Sequence, residues 1–220
     1  MHSLLKSFLV GAVFCSIAFS PSMSKAETFF VEDQDNRFTV SFPDLWKKVG
    51  NQKPDDKLTV VGQGENNFAI CRVRVREDRR FVIFPSKFDD AIQRTSFSRE
   101  FWNNYLGEYN DVDVTYFKDE VGLGFGYASM VEASYETAEG AIVKKRGLML
   151  ASLYHDQLYV IDCSSEASVY GKWKPAFMGI TKSIDFDKVI NEHKNGHYRD
   201  FMDDPEVEVR GPKVFDTHKF

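Results

Sequence analysis

The sequence predicts an α+β fold, an antiparallel β-sheet flanked by helices. Three observations carry that reading. Apolar and polar residues alternate with a period of two through most of the stretch from Arg37 to Cys163. The alternating runs are joined by short polar links, which suit antiparallel hairpins rather than crossovers. The period changes to helical spacing twice, between Pro85 and Tyr109 and again around Trp173–Ile180.

The elements follow in order. In "RFTVSFPDLW", Phe38, Val40 and Phe42 alternate with Arg37, Thr39 and Ser41, a half-buried strand that Pro43 ends because proline donates no ladder hydrogen bond. "KLTVVGQG" and "NFAICRVRV" form a strand pair about the polar turn at Glu65–Asn67. Phe88, Ala91 and Ile92, then Phe101, Trp102, Tyr105 and Leu106, mark two short helices, with Ser98 as N-cap of the second. Long strands follow in "DVDVTYF", "GFGYASMVEASYE" and "AIVKKRGLMLASLY". The last turns at His155-Asp156 into "QLYVIDC". A final helix carries Trp173, Phe177 and Ile180, with Pro175 in its first turn and its end near Ser183. "GLGFG" at Gly122–Gly126 lacks the third glycine of a dinucleotide fingerprint and opens a strand, so it reads as a bulge or flexible strand.

The flanks differ from this core. Residues 1–26 have the secretory order: a short basic start, the apolar run "SFLVGAVFCSIAF", then Ser24 and Ala26 at the positions a signal peptidase reads. The run is too short to span a bilayer, so the expectation is a cleaved leader, no membrane anchor after cleavage, and a periplasmic or secreted product. The domain is expected over 27–186. Residues 187–220 are charged and poor in apolar groups, and they read as a largely irregular C-terminal tail. The formal net charge is −5, and loss of Lys6 and Lys25 with the leader makes it more negative. That balance argues against nucleic acid as a partner.

"RFTVSFPDLW" resembles the opening strand of PsbP-like domains: an apolar strand, a proline, then a tryptophan. "LMLASLYHDQLYVIDCSSEASVYGKWKPAFMGITKSIDF" resembles their close, a strand hairpin, a short linker, a final helix and a terminal serine-aromatic pair, here Ser183 and Phe186. The resemblance spans roughly Phe38–Phe186 and implies an α/β/α sandwich that serves as a binding module rather than an enzyme. The charged tail and the cysteine pair depart from the family pattern.

Four constellations carry possible chemistry. Cys163, Ser164 or Ser165 with His155 and an Asp would make a nucleophile and base. However, Cys163 and His155 lie on one extended strand, roughly 25 Å apart, and no nucleophile elbow occurs. Glu192, His193 and His197, with Asp200, Asp203 and Asp204, offer a weak divalent-metal site, although the spacing is not that of a zinc protease. "ICRVRVREDRR" places Arg72, Arg74 and Arg76 on one strand face, with Arg79 and Arg80 close behind. This stripe is the leading candidate binding surface, for an acidic protein face or an anionic head group. The competing reading pairs it with acids such as Glu132 or Glu136. Finally, cleavage leaves Cys71 and Cys163, an even count in an oxidising compartment, each on an apolar strand face. They are expected to form one disulfide closing a loop of roughly 90 residues, against two separate buried thiols.

The expectation is therefore an exported, non-enzymatic binding module of the bacterial cell envelope, with a protein partner and no cofactor. An unrecognised hydrolase-type enzyme and a small-ligand or divalent-metal carrier are the alternatives.

Overall fold

The computed structural model describes residues 28–186 apart from 66, 85–87, 125, 138–139 and 155. The leader, the tail and the His193/His197 metal reading lie outside the described residues, as does His155. In chain order the elements are β1 (Thr28–Asp33), β2 (Phe38–Pro43), β3 (Trp46–Val49), β4 (Asp56–Gln63) and β5 (Phe68–Glu77). There follow α1 (Arg80–Ile83), α2 (Asp89–Ser96), α3 (Arg99–Leu106), β6 (Asn110–Leu123), β7 (Gly126–Glu136), β8 (Lys144–Tyr154), β9 (Gln157–Glu166), α4 (Tyr170–Lys182) and β10 (Asp185–Phe186).

The main sheet has seven strands in the order β3-β4-β5-β9-β8-β7-β6, and each pair is antiparallel. It consists of two meanders, β3-β4-β5 and β6-β7-β8-β9, joined along β5 and β9. One face carries α2 and α3 over Val131, Ala133, Met149, Ala151 and Val160. The other carries α4 and a smaller sheet, β1-β2-β10, over Cys71, Val73, Leu148, Leu150 and Ile161. The sandwich expected from the sequence is present, and the small sheet shares the α4 layer.

Both faces of the central strands are covered, so alternation there separates two cores rather than core from solvent. In β9, Leu158 and Val160 enter the α3-side core, whereas Tyr159, Ile161 and Cys163 enter the other. β8 extends past its ladder with β7, which ends at Ala151. There the buried Gln93 of α2 takes the missing place: its side chain accepts from the Leu153 N–H at 2.9 Å and donates to the Ala151 carbonyl at 3.3 Å. A side chain thus satisfies backbone groups that would otherwise be buried without partners.

Three expectations need correction. Pro175 lies well inside α4 rather than in its first turn. The carbonyl that its ring leaves without a donor belongs to the exposed Gly171, where water can serve it. Ser98 occupies the N-cap of α3 with extended backbone, but its side chain makes no capping hydrogen bond. The Gly122–Gly126 segment is the β6–β7 hairpin. Gly124 takes φ +57°, and a Cβ there would meet the Phe186 ring at 2.8 Å, so the position requires glycine.

Candidate functional site

The arginine stripe is divided by what covers it. β5 directs Arg72, Arg74 and Arg76 to the α3 face, opposite Cys71, Val73 and Val75, as the alternation implies. That face is not open along its length. α3 lies over its middle, and Arg74 is only 5% exposed. Arg74 donates from Nε to Asp56 Oδ1 at 2.9 Å, and its guanidinium sits 5.3 Å from the centre of the Tyr105 ring. Burial works against its charge, but Tyr105, Asp162 and Asp56 outweigh burial and raise its pKa above the ordinary value. Arg72 lies 3.9 Å from Asp162 and donates to Gln52 Oε1 at 2.9 Å. Tyr105 closes the cluster by donating its hydroxyl to Asp162 Oδ2 at 3.2 Å.

Arg72 and Arg74 therefore position α3 on the sheet and do not form a solvent-facing surface. Their partners also differ from the expected Glu132 and Glu136. Glu132 faces the other side of the sheet, buried beneath α4. There it accepts from Arg146 at 3.1 Å and from Lys174 at 2.6 Å. The Arg146 guanidinium lies 4.9 Å from the centre of the Tyr170 ring. Each face of the sheet thus has an apolar core and one charge cluster, built on a buried carboxylate, that ties its helix to the strands. A lone Glu in the run "ASMVEASY" and a lone Asp in "LYVIDC" were the sequence signals for these clusters.

The outer part of the stripe is accessible. The side chains of Arg76 and Arg79 are at least half exposed, and their acidic neighbours, Asp55 and Glu77, stand 3.9 Å away. Arg80 is tied to Asp78 by its guanidinium and stacks 5.3 Å from the centre of the Phe97 ring, which fixes α1 against α2 and α3. The next residues, Val82, Ile83 and Phe84, turn outward, with Ile83 69% exposed. Three consecutive apolar side chains beside two accessible guanidinium groups form a mixed corner where β5 runs into α1. The basic half of it was visible in the sequence; the apolar half, Val82–Phe84, lies before the helical spacing that begins after Pro85 and carried no periodic signal.

The nucleophile reading fails on geometry. Cys71 and Cys163 are directly opposed in the β5–β9 ladder and joined by a disulfide across 92 residues of sequence, with Cα atoms 4.0 Å apart. Cys163 faces the α4 core, while Asp162 and Ser164 face α3, so the three do not converge. Among the described residues no group of three or more His, Cys, Asp or Glu side chains is placed to hold a metal. A shallow groove of about 400 Å³ runs between the β1–β2 turn and β3–β4. Its walls set Lys48 and Lys57 against Glu32, Asp33 and Asp35. Asp33 is engaged within the turn, accepting from the Asn36 N–H at 2.9 Å and from its side-chain amide.

No family model matches the chain, and no curated protein matches it. Solved structures similar to it include the solution structure of cyanobacterial PsbP (CyanoP) from Synechocystis sp. PCC 6803. That likeness has 12% identity and TM-score 0.48, and covers 78% of this chain and 99% of that one. LpqN of Mycobacterium tuberculosis, described as involved in cell envelope biogenesis, has 11% identity and TM-score 0.48 over 74% of this chain and 92% of that one. The Saccharomyces cerevisiae Ran-binding protein Mog1p has 12% identity and TM-score 0.44 over 73% of this chain and 96% of that one. These are likenesses of fold alone.

Proposed function

We propose that the chain is an exported, non-catalytic binding module of the cell envelope that docks a protein partner on the β5–α1 corner. The observation that carries this reading is the exposed Val82–Ile83–Phe84 triplet beside Arg76 and Arg79. Apolar side chains flanked by arginine are the usual anchors of a protein interface, and arginine is enriched there. The fitting partner presents an apolar pocket or knob edged by carboxylates. Export is supported by the secretory order of residues 1–26 and by the disulfide, which persists in oxidising compartments. A non-catalytic role is supported by the engagement of Cys163 in that disulfide and by the internal pairing of Asp162.

The test is capture from an envelope fraction with the mature domain, compared with a variant carrying Arg76→Gln, Arg79→Gln and Ile83→Ser. A partner retained by the wild-type domain, released by the variant and weakened by salt is the expected result. Equal retention by both would remove the corner from the interface.

A further inference from the structure

The molecule has four strand edges among the described residues, and three of them carry devices that discourage further pairing. β3 is four residues long and exposes Lys47 and Lys48. β6 has register shifts at three places in its ladder with β7, which twist an edge away from a new partner. β10 has two residues. β1 is longer than β3 and β10 and is regular, and its charges are confined to its C-terminal end, at Glu32 and Asp33. All six of its residues pair with β2, and its other edge carries no strand. Its side chains include Phe29 and Phe30, which are 55% and 60% exposed.

The strand is also held in place. Asp33 and Asn36 lock the turn that follows it. The Tyr159 hydroxyl donates to the Asn36 carbonyl at 2.8 Å, and Arg37, at φ 53°, pairs with Asp156. An extended, regular, rigidly mounted edge with exposed aromatics is a template for strand addition.

The order of side chains selects the occupant. In β1, Phe29, Val31 and Asp33 share the inner face with Phe42, Val40 and Phe38 of β2, and Thr28, Phe30 and Glu32 share the outer face. A two-fold axis perpendicular to the sheet must pass through a residue for the faces to match. Through Phe30, it opposes Phe30 to Phe30, Phe29 to Val31, and Thr28 to Glu32. Aromatic and aliphatic groups then meet, and across residues 28–32 no acid opposes an acid. Through Val31, it would set Phe30 against Glu32 and Phe29 against Asp33.

We infer that the β1 edge pairs antiparallel with β1 of a second copy of this chain, about a two-fold axis at Phe30. The product is a continuous six-stranded sheet, β10-β2-β1-β1-β2-β10, in which both exposed phenylalanines are covered. Two six-residue strands bury less than the roughly 1,600 Å² of a standard interface, so the dimer is concentration-dependent. Its surface lies on different elements from the β5–α1 corner.

Sedimentation velocity on the mature chain from about 1 µM to about 1 mM tests this. The expected result is a monomer–dimer equilibrium that Phe30→Lys weakens by about tenfold or more. A short thiol-reactive cross-linker, about 8 Å in reach, should join F30C protomers. It should leave E32C protomers separate, because positions 32 then lie about four residues, or ~13 Å, apart along the paired strands. The F30C/E32C pair decides the matter should Phe30→Lys fail to melt cooperatively. A monomer at every concentration, a dimer indifferent to Phe30→Lys in a folded protein, or cross-linking of E32C in preference to F30C overturns the proposal.

Discussion

Arg74 lies against the ring of Tyr105 while its Nε donates to Asp56 at 2.9 Å, so one buried guanidinium joins β4, β5 and α3. Removing it leaves the buried Asp56 without its countercharge. Arg74→Gln is expected to cost about 3–5 kcal/mol of stability, whereas Arg79→Gln, on an exposed pair, should cost under about 1 kcal/mol. Paired denaturant melts check this. Equal losses would show that the inner and outer arginines are equivalent.

Burial pushes Tyr105 and Tyr135 well above the ordinary phenol value and also raises Tyr109 and Tyr170. For an acid whose folded pKa is raised, the unfolded chain loses its proton first as pH climbs. The stability these groups contribute is therefore complete below about pH 10 and is lost above it, as pH rises towards the folded values. Alkaline titration followed by phenolate absorbance should show these four rings ionising together with loss of ellipticity, after the accessible tyrosines. Ionisation of all rings before any unfolding would contradict this.

The division between legible and hidden features follows from what periodicity reports. β2, β4, β5 and β7–β9 were readable because each has enough residues to show a period of two. β1, β3 and β10 were not, since "WKKV" and "DF" are too short to show one and the three apolar residues of "TFFVED" run consecutively rather than alternating. The disulfide followed from parity and from the apolar faces of its strands. The fate of the arginine stripe could not follow, because a strand pattern shows which residues share a face and not what covers it. Asp56 and Asp162, which neutralise that face, stand 18 and 90 residues along the chain from Arg74 and Arg72.

A domain ending at Phe186 should fold on its own. Phe186 is buried and stacks 4.9 Å from Tyr154 and 4.5 Å from Tyr159, centre to centre. Residues 27–186 are expected to melt cooperatively, close to the mature full-length chain. Phe186→Ala in that context should cost about 3–5 kcal/mol. Loss of cooperative melting on removal of 187–220 would assign the tail a structural part.

The cystine is expected to be quantitative. Denatured without reductant and treated with an alkylator, the mature protein should gain no mass. Replacing both cysteines by alanine should lower stability by about 2–4 kcal/mol. Two alkyl groups per chain, on protein prepared without reductant, would contradict the bridge.

The two-meander build of the main sheet sets an order of events for a chain that emerges from its N-terminus. The β3-β4-β5 meander can close on itself early, but β5 then presents a naked edge through the whole interval in which α1 to β8 appear. Only the arrival of β9 covers it. That interval is the period of greatest exposure to aggregation, since unpaired strand edges recruit other chains. Cys71 lies on that waiting strand as a free thiol until Cys163 is delivered opposite it. An oxidant that acts too soon would trap a wrong partner, and one that acts after the seam closes seals it. Newly made chains caught at this stage should therefore be enriched in intermolecular disulfides through Cys71.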